Sequence, residues 1–346
     1  MCIKINIKKF LKRIFPCLYH KPKPEPQPEP TPPVVPEPII EEPKPPWFGC
    51  SIYEACQQTP EKIRTFLQKL KDAGGNATEI FLIHSHDDNT YQPYPFNFHS
   101  GKFDLDEWNG AFWGKFQYFL ASCKELGIVP FIRIHDFCSI KRKEISKFYC
   151  FMNNVQEFTS VYDKGLCPYY SKLNKRIIEE LMAMGVKKFF FIPMSECDGS
   201  VKEVYDFNAW YVNNLFGYVN NLLARIVPQD QIIISADLKH FDKLKKLECR
   251  LEVHGIADVE DLVTAIQLYG NNIFGNGDGC NGNGIQSYNG YGEPSIDQAI
   301  ELGKYIRNNN LFGYCYKLRS AYKTKGEVHI ELADFSALKA LAGEIK

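Results

Sequence analysis

The sequence predicts a (β/α)8 barrel of the TIM type, preceded by a proline-rich linker and a short basic amphipathic helix. Three observations predict the barrel. Between residues 47 and 346, apolar runs of strand length alternate with helical patterns eight times. The strand-length runs are continuously apolar rather than alternating, the pattern of a parallel sheet covered by helices. No Gly-x-Gly-x-x-Gly opens the helix after the first strand, which counts against the open doubly wound sheet.

The chain begins with Ile3, Ile7, Phe10, Leu11, Ile14, Phe15 and Leu18 at helical spacing, with lysines and Arg13 on the other face. Residues 1–21 thus read as a basic amphipathic segment, suited to an anionic membrane surface or a partner's groove. The apolar stretch is broken by Lys4, Lys8, Lys9, Lys12 and Arg13 and has no small-residue cleavage site, so it does not read as a secretory signal. Residues 22–46 hold 12 prolines in 25 positions, alternating with Glu, Lys and Gln. Such a composition builds no core and favours extended polyproline II, at about 3.1 Å per residue. The boundary with the barrel, residues 47–346, falls near Trp47.

The first strand covers Phe48–Ile52, and its helix opens at Thr59-Pro60-Glu61 and runs to Ala73 before Gly74-Gly75. The second strand, Thr78–Ser85, leads through a long loop to an aromatic helix from about Asp106 to Leu126, stopped by Gly127. The third strand is Ile128–His135, followed by a long loop and a helix ending at Met184-Gly185. The fourth is Val186–Ser195, with a helix from Tyr205 to Ile226. The fifth is Gln231–Ala236, and the sixth is Arg250–His254 with a helix from Asp258 to Tyr269. The seventh is Asn271–Phe274, and a glycine-rich loop separates it from a helix at Ser295–Asn308. The eighth is Leu311–Leu318, and the helix Asp334–Ile345 closes the domain.

Composition narrows the function. With 41 basic and 41 acidic residues there is no global positive field to gather nucleic acid. No run of about 18 apolar residues is present to cross a membrane. The 12 cysteines are scattered without a CxxC, which suits buried free thiols better than a zinc framework or a disulfide scaffold. Aromatic residues make up 14 % of the chain. Many fall in loops, such as Tyr94 in the run Tyr91–Phe98, where flat rings can stack on sugar faces or simply pack.

In such a barrel the reactive groups sit at the C-terminal ends of the strands. The polar residues there are Glu54, His84, His86, Asp87, Asp88, Arg133, His135, Asp136, Ser195, Glu196, Asp237, Glu252, His254 and Asp278. Glu196 is the sharpest, because it directly follows the apolar run Phe189–Ser195. A carboxyl on an apolar rim has its pKa raised by desolvation, as a general acid requires. The pair His84 and His86 shares one face of a strand end and offers a metal-dependent hydrolase as a lesser alternative. No matching ligand set follows on later strands, so no metal or other cofactor is expected. The Gly275–Gly284 loop could cradle a phosphate but contains no Lys or Arg.

The layout resembles the clan A glycoside hydrolases, the cellulase-like barrels, over Trp47–Lys346. The segment Gly101–Asn109 with its helix, then Gly127–Pro130 and Ile132–Asp136, is similar to the second-helix and third-strand region of that clan. Glu196 matches its acid/base glutamate. The resemblance implies hydrolysis of a poly- or oligosaccharide, with Arg133, His135, Asp136, Ser195, His254, His84 and Tyr94 around the sugar. Two departures stand out. Ser195 occupies the place of the asparagine before the acid/base, and no glutamate ends the seventh strand, where Asp278 is the nearest carboxylate. The second departure admits a carbohydrate-binding barrel that has lost catalysis. Head, linker and barrel together also resemble glycosidase-like proteins of tailed phages of gut bacteria.

Overall fold

The computed structural model describes residues 44–52, 55–82, 93–99, 102–136, 167–195, 231–237, 250–256, 258–277, 294–317, 323–324 and 327–346. The chain divides into units Met1–Ile40 and Glu41–Lys346. The amphipathic segment and nearly all of the linker lie outside the described residues.

Strand β1 (Trp47–Ile52) is buried throughout. Helix α1 (Pro60–Asp72) starts where the Thr59 side chain accepts from Lys62 N and Pro60 fills the first turn. It buries Ile63, Phe66, Leu67 and Leu70, one stripe at helical spacing. After β2 (Ala77–Phe81) the chain forms an antiparallel hairpin, β3 (Phe96–His99) and β4 (Lys102–Trp108). Helix α2 spans Gly110–Leu126 and ends at Gly127, whose φ of 65° lies in the left-handed region that favours glycine. The remaining elements are β5 (Val129–Asp136), α3 (Cys167–Ala183), β6 (Phe190–Ser195), β7 (Ile233–Asp237) and β8 (Arg250–His254). They continue with α4 (Val259–Tyr269), β9 (Ile273–Asn276), α5 (Ile296–Asn309), β10 (Gly313–Lys317), the short pair β11 (Lys323–Thr324) and β12 (Glu327–Val328), and α6 (Ser336–Ile345). Among the described residues, no helix is long and apolar enough to cross a membrane.

Eight parallel strands form one sheet in the order β6-β5-β2-β1-β10-β9-β8-β7. Phe191 and Ile232 make a parallel bridge between its two outer strands, so the sheet curls back on itself. The arrangement is consistent with a (β/α)8 barrel.

The hairpin corrects the helix expected from Asp106. Asp106–Trp108 belong to β4, and the helix starts only after Asn109, whose side chain accepts from Ala111 N. Strand alternation and an asparagine cap override the helical spacing of the aromatics. The fourth strand also starts later than expected, at Phe190. The seventh strand likewise starts later than expected and also ends later, because Ile273–Asn276 is the paired segment.

Two apolar clusters show which way the strands face. One joins strand residues to helix residues, such as Ile132 and Ile134 with Phe116, Phe119 and Ile177. The other contains no helical residue: Trp47, Ala77, Val129, Phe131, Phe190, Ile192, Ile233, Phe274 and Cys315. A cluster built from strands alone lies on the face away from the helices, in the barrel interior. Its rings are stacked, with Phe131 4.3 Å from Phe274 and 4.6 Å from Phe190. These residues come from the early part of their strands, so they plug the end opposite to the expected site. Two inward glycines make room. A Cβ on Gly49 would lie 1.8 Å from the Ala77 carbonyl oxygen, and one on Gly313 would lie 2.5 Å from that of Trp47 and 2.8 Å from the Phe274 ring.

Candidate active site

Strand alternation carries the inward phase past the aromatic plug to Glu79 on β2, Arg133 on β5, Glu252 and His254 on β8 and Asn276 on β9. All five are buried, and among the described residues Arg133 is one of the largest side chains to be sealed completely. A charge so deep persists only where its hydrogen bonds are met. Arg133 Nε donates to Glu79 Oε1 at 2.5 Å, and its NH2 group pairs with both Glu79 and Glu252. Its NH1 group donates to His254 Nε2 at 2.9 Å. The guanidinium face lies over the Phe81 ring, 4.4 Å from its centroid. Asn276 Nδ2 donates to Glu79 Oε2 at 2.7 Å and to Glu252 Oε1 at 2.6 Å. His254 Nε2 also lies 3.2 Å from Glu252 Oε2.

Burial pushes the Glu79 carboxyl up to about 8, with Arg133 opposing the rise and Glu252 adding to it. The network forms a polar layer between the aromatic plug and the C-terminal rim. It fixes the side chains of four strands relative to one another and leaves the rim to other residues.

Of the residues singled out from sequence, Arg133, Glu252 and His254 are brought together in this layer. His135 and Asp136 close β5 and pair in register with Met194 and Ser195 at the end of β6. Asp237, at the end of β7, pairs in register with His254. Tyr94 is half-buried against the helix-side core, and burial raises its hydroxyl pKa. Glu196, Asp278, His84 and His86 lie outside the described residues. Among the described residues, no group of three or more His, Cys, Asp or Glu is arranged to hold a metal ion. Cys50, Cys56, Cys123 and Cys315 are buried.

Trp108 and Trp113 serve packing. Trp108 stacks on Phe96 at 4.7 Å, and Trp113 donates to the Pro95 carbonyl at 3.0 Å, which fastens the hairpin to α2.

Glu79 and Asn276 were missed by reasoning that looked only at strand ends. The available signal was a carboxylate in the middle of the short apolar strand Ala-Thr-Glu-Ile-Phe, in phase with a buried alanine. Asn276 corrects the reading of the seventh strand: the strand ends on a carboxamide committed to two glutamates.

No family model matches the chain, and no curated protein matches it. Solved structures do. The endo-1,4-β-mannanase of Rhizomucor miehei is 10 % identical, with 86 % of this chain and 93 % of that one covered and a TM-score of 0.58. The endo-1,4-β-D-mannanase of Thermotoga petrophila RKU-1 is 12 % identical, with coverages of 81 % and 90 % and a TM-score of 0.55. The exo-β-1,4-mannosidase Op5Man5 of Opitutaceae bacterium strain TAV5 is 12 % identical, with 86 % of this chain covered and a TM-score of 0.53. This chain spans 59 % of that mannosidase's length. At these identities the likeness is one of fold: the chain shares the architecture of glycoside hydrolases.

Proposed function

We propose that the barrel is a glycoside hydrolase acting on a poly- or oligosaccharide, with Glu196 as general acid/base and Asp278 as its partner carboxylate. One observation carries the reading: β6, the fourth strand of the series, ends at Ser195 in a fold shared with glycoside hydrolases, and Glu196 is the residue that directly follows it in the sequence. Phe190 and Ile192, on the same strand, belong to the interior cluster. His135, Asp136 and Ser195, with His84 and Tyr94, are assigned to the sugar hydroxyls. Arg133 and His254 support that rim from below.

A second reading, a carbohydrate-binding barrel without catalysis, is favoured by Asn276. The last residue of the seventh strand offers an amide already engaged by Glu79 and Glu252, and no carboxylate. The test is a polysaccharide-hydrolysis and glycan-binding screen of residues 47–346 beside Glu196→Gln and Asp278→Asn. Hydrolysis reduced about 10²–10⁴-fold by Glu196→Gln supports the enzyme, since general acid catalysis is worth that much. Glycan binding without hydrolysis by the parent supports the binding module, and hydrolysis unaffected by Glu196→Gln removes Glu196 from the mechanism.

The basic segment, residues 1–21, is assigned to attachment on an anionic membrane surface or a partner protein. Deleting residues 1–46 should abolish salt-sensitive adsorption to anionic vesicles in the first case. In the second, it should abolish a salt-resistant complex that Phe10→Asp also breaks.

A further inference from the structure

The polar layer contains more negative than positive groups. Arg133 contributes a permanent positive charge, and Glu79 and Glu252 are two acids. His254 Nε2 faces Arg133 NH1 at 2.9 Å. A guanidinium only donates, so that nitrogen accepts from NH1 on a neutral ring, and its 3.2 Å approach to Glu252 Oε2 then requires the carboxyl to supply the proton between them. With both carboxyls ionised the layer would carry a net negative charge, sealed from water at 0 % exposure for Glu79, Arg133, Glu252 and Asn276. One added proton makes it neutral.

The geometry indicates which groups take that proton. Asn276 Nδ2 donates to both Glu79 and Glu252, and Arg133 NH2 pairs with both. Two carboxyls that share the same two donors sit side by side, and ionising one opposes ionising the other.

We propose that Glu79 and Glu252 share a single proton at neutral pH, and that this proton is a pH-sensitive lock on the barrel interior, released in mildly alkaline solution. The described groups that face the pair are Arg133 from β5, His254 from β8 and Asn276 from β9. Cys315 from β10 faces it too, a buried thiol whose own ionisation is pushed up by burial and by these carboxylates. Ser51 on β1 pairs in register with Glu79, and its hydroxyl donates to the Tyr316 carbonyl instead. From β6 and β7, the interior cluster contributes the apolar Ile192 and Ile233.

The sign follows from linkage. Burial lifts the folded Glu79 carboxyl from an ordinary 4.5 to about 8, so the folded protein binds this proton more tightly than the unfolded chain does. The stabilisation is complete below the unfolded value and is lost as pH rises through the folded one. Across that window the folding constant falls by up to about tenfold per pH unit, and above it the curve is flat.

The test is urea unfolding of the full chain from about pH 5 to about pH 9 for the parent, Glu79→Gln and Glu252→Gln. Either amide leaves one carboxylate against Arg133, a neutral layer with no proton to lose. Relative to the parent, the folding constant of each variant should therefore rise by up to about tenfold per pH unit and then level off near pH 8. A ratio that stays constant across the range for both variants overturns the proposal. Should an amide variant fail to fold, the parent labelled with ¹³C-glutamate gives an independent reading. A protonated-carboxyl stretch present at neutral pH and lost on alkaline titration supports the shared proton, and its absence at neutral pH overturns it. Neither measurement depends on whether the protein hydrolyses sugar.

Discussion

Arg133 and His254, 121 residues apart in sequence, meet inside the barrel with NH1 2.9 Å from Nε2. The same guanidinium holds Glu79 and Glu252, so its removal strands two carboxyls away from water. Arg133→Met should cost about 3–5 kcal/mol, the usual consequence of breaking a buried ion pair from one side. Arg133→Lys should also destabilise, because a single ammonium cannot reproduce the planar fork. Urea unfolding measures both, and a loss below about 1 kcal/mol for Arg133→Met would show that the layer relaxes or takes in water.

Asn276→Asp adds a third carboxyl beside Glu79 and Glu252. Crowding by like charge and burial both raise the pKa of the new acid in the folded state, so the variant's stability should fall further behind the parent as pH rises. Thermal unfolding at about pH 5 and about pH 8 reads the effect. A smaller deficit at the higher pH contradicts the placement of Asn276.

Gly49→Ala and Gly343→Ala should move stability in opposite directions. A Cβ at Gly49 meets the Ala77 carbonyl oxygen at 1.8 Å, and a backbone atom in a barrel strand cannot step aside. The cost should reach or exceed the roughly 1–3 kcal/mol usual for overpacking. A Cβ at Gly343, in α6, meets nothing within 4 Å. There the gain in helix propensity should stabilise by about 0.5–1 kcal/mol. Melting temperatures of the two variants settle the comparison.

Phe131 stacks on both Phe190 and Phe274, so Phe131→Ala opens a void that neither neighbour can fill without losing its own contacts. The loss should be about 3–5 kcal/mol. Because the ring lies under Arg133 along the same strand, loosening of the polar layer should accompany it. The parent and variant can be compared by hydrogen exchange of the β5 amides.

Most of the sheet was legible because its strands are short apolar runs bounded by glycine and by capping residues. Thr59, Asp258 and Ser295 all cap the helices expected after them. The hairpin was not legible, because Trp108 and Trp113 suit a helical stripe as well as they suit a strand end packed on a helix. Arg133, Glu252 and His254 were visible as polar residues near strand ends. Their other partners were harder to find, since Glu79 lies mid-strand and Asn276 appeared to fall beyond the seventh strand. The pairing itself, between strands far apart in sequence, exists only once the sheet has curled.

The first and last barrel strands, β1 and β10, are neighbours over five register positions, and the Ser51 hydroxyl reaches the carbonyl of Tyr316, 265 residues later. On a ribosome, therefore, β1 emerges with one edge bare and keeps it bare until β10 has been made. At about 5–20 residues per second that wait is on the order of 10 to 50 s. Throughout it, the apolar edge Trp-Phe-Gly-Cys-Ser-Ile is open to any passing strand. The yield of correctly closed protein thus depends on translation speed and on what shields that edge in the cell, quantities that the stability of the finished barrel does not set.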